Sequence, residues 1–280
     1  MESSVINIFR KLPVVLFLLL VTANCYPEPL AGKNLKTIRI MTVVICQQGD
    51  FLQYLFEPYL AKKNISIDYS QGHHNEVVAA IKRGQVDIAI THTKVKAMQE
   101  LVASGLLVNG RTVFANPKAF LGPDGDPADI AGLDDAAAAM QRIQEQGYCY
   151  VINPHGNMTR LQRNLLEGAQ SGRQCVIDNV QNTWEALQMA NDKGAYTMWG
   201  LHPYLAKGKG SLQPVVIPDQ RLLQNLGAWV VQGSDVMAEA RDLVEYLASD
   251  VARARIVKYR FPDHDTIQPW WPPKRGDRAR

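Results

Sequence analysis

The sequence is poor in the features that would settle its class at once. It has no strong charge bias: 30 Lys+Arg face 27 Asp+Glu, a net +3 over 280 residues. No long basic stripe runs through it, so a nucleic-acid reader is not expected. Four cysteines are too few for a disulfide scaffold. Neither a Gly-x-Ser-x-Gly elbow nor a phosphate loop occurs. No apolar run reaches the roughly 20 residues a spanning helix needs. What is present is ordinary globular composition, 46% hydrophobic and 20% charged, with length for two domains.

The first residues read as an address. Arg10 and Lys11 precede the apolar run Leu12 to Val21, and small or polar residues follow to Cys25. This describes a secretory signal over 1–25, with export to the periplasm or beyond. An uncleaved anchor and a lipid anchor on Cys25 are the alternatives. In an oxidising compartment Cys149 and Cys175, each opening a strand-like stretch, could pair, or remain two buried thiols. Cys46 would stay free.

Periodicity gives an alternating order of elements. Residues 37–45 read as a buried strand, and Phe51, Leu52, Leu55, Phe56 and Tyr59 recur at helical spacing behind Asp50. Strand 65–69, a helix from about Asn75 to Lys82, strand 86–90 and helix 96–104 follow. Strand 118–121 and the turn-rich Gly122 to Pro127 mark a crossover. A second alternating unit then runs through helix 134–146, strand 149–152, helix 159–168, strand 175–178, helix 181–192 and strand 194–198. Strands at 215–217 and 227–231 return, and helices 237–249 and 251–258 close the chain. The proline-rich end from Pro262 reads as a surface wrap.

The expected fold class is therefore α/β, with two lobes of parallel-type sheets flanked by helices and a ligand cleft between them. Lobe I would span 36–116 and 215–273, lobe II 117–214, and a basic tail 274–280.

Several segments carry a resemblance. Thr42 ends the first strand and is followed by Gly49 to Leu55 and Pro58-Tyr59-Leu60. Gly84-Gln-Val-Asp-Ile-Ala-Ile-Thr-His92 looks like a Gly-x-Val-Asp-Val-x-x-x-His segment. Gly122-Pro123, Asp126-Pro127-Ala128, Met189-Ala190 and Lys193 to Thr197 are similar to further pieces. Together they resemble the tungstate/molybdate-type substrate-binding proteins of ABC transporters, in the periplasmic binding protein-like superfamily (type II), over about residues 37–273. The resemblance implies an exported, non-enzymatic, monomeric receptor without cofactor or resident metal. It would deliver an oxoanion or other small molecule to an ABC permease in the inner membrane.

By that resemblance the ligand-binding positions are Thr42, Cys46, His74, Asn75, Asn153, Asn157 and Thr159, with backbone N–H groups at three helix starts. The family's hydroxyl run is replaced by Val43-Val44-Ile45, and its arginine position holds Asn153. Arg160 is adjacent, but one residue along a helix start is expected to point elsewhere. Protonated His74, His92 and His155 could supply the lost charge, or with Cys46 hold a soft metal. Asp87, Glu76 and Asp178 read as cap or surface carboxylates. A different solute (an organic anion, a neutral molecule or a metal chelate) and a sensor domain in the same fold remain open.

Overall fold

The structure, a computed structural model, describes residues 35–44, 50–169, 175–207, 210–273, 276 and 278–279. The expected signal segment, Cys25, Cys46 and part of the tail lie outside them.

Strand β1 (Lys36–Val43) carries the branched residues Ile38 and Ile40 inward, both essentially unexposed. Helix α1 (Phe51–Leu60) buries Phe51, Leu52, Leu55, Phe56 and Tyr59, one stripe at helical spacing. Its N-terminal neighbour Asp50 does not cap it; the carboxylate accepts instead from the Tyr259 hydroxyl at 2.8 Å. Strand β2 (Ile65–Gly72), helix α2 (His74–Lys82), strand β3 (Ile88–His92) and helix α3 (Lys96–Ala103) follow. β1 pairs in parallel with β2 on one side and β3 on the other.

Strand β4 (Leu107–Gly122) is far longer than the expected 118–121. Asn109, Gly110 and Pro117 interrupt its sequence pattern, but two partners in succession satisfy its backbone. Residues up to Pro117 pair antiparallel with β9 (Leu223–Val231), and Lys118 to Leu121 pair with β7 (Thr197–Gly200). β4 thereby passes from one lobe to the other.

The second lobe adds α4 (Ala136–Glu145), β5 (Tyr150–Val151), α5 (Asn157–Gly168), β6 (Val176–Ile177), α6 (Thr183–Lys193) and α7 (Leu201–Lys207). Asp135 caps α4 through Ala137 and Ala138, and Asn182 caps α6 through Glu185. β5 and β6 are parallel, and a disulfide joins Cys149 and Cys175 at their entry. Helix α7 escaped the sequence reading because Pro203 lies within it; as the third residue, that proline sits in the first turn, where its missing N–H costs nothing.

Two hydrophobic cores result, one holding Ile38, Phe51, Ile88, Phe114, Leu226 and Leu243, the other Phe120, Met140, Tyr150, Leu187, Trp199 and Leu222. The sheets are mixed, since β3–β9, β4–β9, β4–β7 and β4–β8 (β8, Gln213–Val215) are antiparallel. Residues 215–222, expected in lobe I, pack with the second core instead: Ile217 and Leu222 are fully buried there. The chain re-enters the first lobe at Leu223. Helices α8 (Met237–Leu247) and α9 (Asp250–Lys258) cover it.

The proline-rich end does not wrap the surface as expected. Trp270 is fully buried in the first core, and Trp271 pairs with Ala115 of β4. Asp87 is likewise no surface group. It is 2% exposed and held by both the side chain and backbone N–H of Arg39 and by Ser234. Burial pushes its pKa up, but those hydrogen bonds outweigh it and hold the carboxyl below its usual range.

Candidate functional site

A cleft of about 750 Å³ opens where the carboxyl ends of β1 and β3 meet the second lobe. Open α/β sheets place their ligands at such ends. Val43 at the end of β1 and Val44 just beyond it border it, with Gly72 at the end of β2, His73 and His74 at the start of α2, and His92 at the end of β3. Lys118 of β4, His155, Gly156, Met158, Arg160 and Leu161 around the start of α5, Trp199 of β7 and Gln224 of β9 add to the wall.

The lining is cationic. Lys94, Lys118, Arg160 and Arg221 contribute to it, and no described lining residue is Asp or Glu. Arg221 is neutralised by Asp219 and Asp135. Lys118 differs: it is only 6% exposed, and none of the described ion pairs includes it. The charge that acts on it is another cation, Lys94. Burial, with Lys94 adding repulsion, lowers its ammonium to about 8. Lys118 is also the residue at which β4 changes partner. Pro117 faces Leu223 of β9 and Lys118 faces Gly200 of β7, which sets the ammonium at the seam between lobes.

The start of α5 adds a second electropositive feature. Gly156 precedes the helix with φ +49°, a conformation that favours glycine, and no side chain caps the helix. Unpaired N–H groups of a first turn favour an anion. In that turn the Met158 N–H already donates to the His155 carbonyl at 3.0 Å, and at α2 Glu76 accepts from the N-cap His73 N–H at 2.6 Å.

The histidines form a relay. His74 Nδ1 lies 2.9 Å from Thr91 Oγ1, and His74 Nε2 lies 3.3 Å from His92 Nδ1. His92 Nε2 is buried and has no hydrogen-bond partner among the described residues. Burial, then the charges of His74 and Lys118, lower His92 to about 4; burial and His73 lower His74. At neutral pH His92 is therefore an uncharged imidazole, and the expectation that His74 and His92 supply positive charge is corrected. Among the described residues no group of three or more His, Cys, Asp or Glu side chains could hold a metal ion.

The expected ligand residues scatter. His74 lines the cleft. Asn75 faces away, beside Ser70, Glu76 and Arg83 in a separate surface hollow. Thr42 is fully buried beneath the cleft wall, its hydroxyl without a partner among the described residues. Asn153 is fully buried and committed: Nδ2 donates to Met198 O, and Oδ1 accepts from His155 N and from Thr183 Oγ1. The Thr159 hydroxyl donates to the Asn153 carbonyl. Tyr196 and Thr197 are likewise tied inside, to Asp126 and to the Val151 carbonyl. Cys46 lies outside the described residues, and Asn157 opens α5.

Lys118 was missed and Arg160 set aside. The available signal for Lys118 was a lysine in an otherwise apolar strand next to the crossover, in Asn-Pro-Lys-Ala-Phe-Leu.

The family model described as bacterial extracellular solute-binding protein matches residues 44–261. The chain belongs to that family. This solute-binding protein is 25% identical over 160 residues to a Haloferax volcanii protein whose name gives it as an ABC transporter anion-binding protein. That match covers 56% of this chain and 46% of the relative, so it spans under half of the relative's length. The fold is that of a tungstate-binding protein from Desulfovibrio alaskensis G20, with TM-score 0.67 and 18% identity over 85% of this chain and 99% of that one. A Geobacter sulfurreducens tungstate ABC transporter structure matches at TM-score 0.57 and 23% identity over 80% of this chain and 98% of that one. The chain thus has the two-lobed periplasmic binding protein-like fold, in a family of binders rather than enzymes.

Proposed function

We propose that this solute-binding protein captures a small anion between its lobes and delivers it to an ABC permease in the membrane from which it is exported. The observation that carries the anion is Lys118, a buried ammonium in the cleft with no carboxylate beside it among the described residues. An unpaired buried charge is costly, and an incoming oxoanionic group supplies the missing partner through charge-assisted hydrogen bonds. The uncapped start of α5 and Arg160 face the same space. Lobe closure about β4 and β9 would then sequester the ion. The names of the Haloferax and Desulfovibrio proteins support the class, an oxoanion of the tungstate type being one candidate. The chain would work as a monomer, without cofactor.

The test is thermal unfolding with millimolar tungstate, sulfate or phenylacetate, each against sodium chloride of equal ionic strength. Ligand at about 100 times its dissociation constant adds ~2.7 kcal/mol. A rise in midpoint with any of these anions in the wild type, absent in Lys118→Met, is the expected result. No rise with any of them overturns the anion reading.

A further inference from the structure

The walls around Lys118 are not those of a site for a bare tetrahedral dianion. Val43, Val44, Met158, Leu161, Trp199 and Leu223 all border the cleft, and none of its described lining residues is Ser or Thr. The hydroxyls nearest in sequence are turned elsewhere: Thr42 is sealed beneath the wall, and Thr159 donates to the Asn153 carbonyl. A tetrahedral oxoanion has four oxygens to satisfy and gains little from valines or a tryptophan face. About 750 Å³ falls in the range of pockets for drug-sized organic molecules, roughly 300–1,000 Å³, and here the apolar side chains share the lining with histidines, cations and carboxamides.

The charge arrangement agrees. Among the described residues the cleft contains one buried cation, Lys118, while Lys94 and Arg160 are exposed and screened by solvent. One buried positive charge matches one negative head group. Trp199, 9% exposed, also borders the cleft, with Trp184 edge-on to it at 5.3 Å and 76°. Tyr204 backs it at 6.5 Å. Trp184 remains 52% exposed next to the cleft wall, an aromatic that a bound apolar body could help cover.

Resting on the anion reading above, we infer that the solute is an organic monoanion. A carboxylate-type head meets Lys118, and an apolar, ring-sized body lies between Trp199 and Met158 on one wall and Val43–Val44 on the other. Trp199 is then a specificity-determining residue and Lys118 the anchor.

The experiment is calorimetric titration of the ligand-stripped full chain with acetate, hexanoate, phenylacetate, phenylacetamide and tungstate. It is repeated on Trp199→Leu and on Met158→Thr, the second variant guarding against misfolding of the first. The expected affinity order is phenylacetate and hexanoate above acetate, with a ring adding ~30-fold through buried apolar area. Both variants reduce phenylacetate binding about tenfold or more and leave acetate unchanged. Tungstate bound as tightly as phenylacetate or tighter overturns the organic solute and keeps the anion reading. Phenylacetamide bound as tightly as phenylacetate overturns the anion reading as well. Failure of all five probes overturns both.

Discussion

The indole of Trp270 stacks on the ring of Phe51, with 4.8 Å between centroids and 14° between planes. Phe114 of β4 meets the same indole edge-on at 5.0 Å, and His202 of α7 lies 4.5 Å away. One residue further, Trp271 exchanges two backbone hydrogen bonds with Ala115. The chain's end is thus fastened to helix α1, to the crossing strand and to the second lobe together. Trp270→Ala is expected to lower stability by about 3–5 kcal/mol, the cost of an emptied aromatic site. Chemical denaturation gives the value. A loss within experimental error of zero would mean the tail packs loosely.

Removing the buried ammonium of Lys118 should have opposite effects on stability and on binding. Lys118→Met keeps most of the aliphatic volume and removes an unpaired charge, so the free protein should unfold at a higher temperature than wild type. The same variant should show no midpoint rise with an anion that stabilises the wild type. A variant less stable than wild type in the free state would show that the ammonium already has a compensating partner.

The same group sets a pH dependence. Its folded pKa of about 8 lies below the ordinary lysine value of 10.5. Between those values the unfolded chain holds the proton and the folded chain does not, so stability rises with pH across the window. The gain is about 3 kcal/mol in all and is complete above 10.5; below 8 the contribution is flat. The difference between wild type and Lys118→Met, measured by urea unfolding at a series of pH values, isolates it. Anion affinity should run the other way, falling about tenfold per pH unit above 8 as the free amine loses its charge. An affinity that is level through pH 9 would remove Lys118 from the site.

The disulfide closes a loop of 26 residues between β5 and β6. The double variant Cys149→Ala/Cys175→Ala should lose about 3–4 kcal/mol. Reducing agent should lower the wild-type midpoint and leave the variant's unchanged. Equal sensitivity of the two proteins to reductant would place the effect elsewhere.

Much of the architecture could be read from local patterns. The branched run of β1, the apolar stripe of α1, the caps at Asp135 and Asn182 and the glycine after α6 are written within a few residues of where they act. β4 was only partly legible, because its length depends on two partners far away in the chain that satisfy its backbone in turn. The cleft was less legible still. Resemblance pointed to Asn153 because an arginine is expected there. A buried carboxamide with three partners of its own is a structural knot, and only the positions of Met198, His155 and Thr183 reveal that.

By itself the sequence determined the alternation of strands and helices and the family. These depend on neighbours within one turn or one strand, where side-chain type and spacing suffice. Tertiary structure alone decided that Lys118, and not a histidine, is the buried charge, that Asn75 turns away, and that Trp270 goes inward. Each of those depends on which distant groups surround a side chain once it is desolvated. Burial changes a lysine or an imidazole by amounts that its immediate sequence neighbours do not encode.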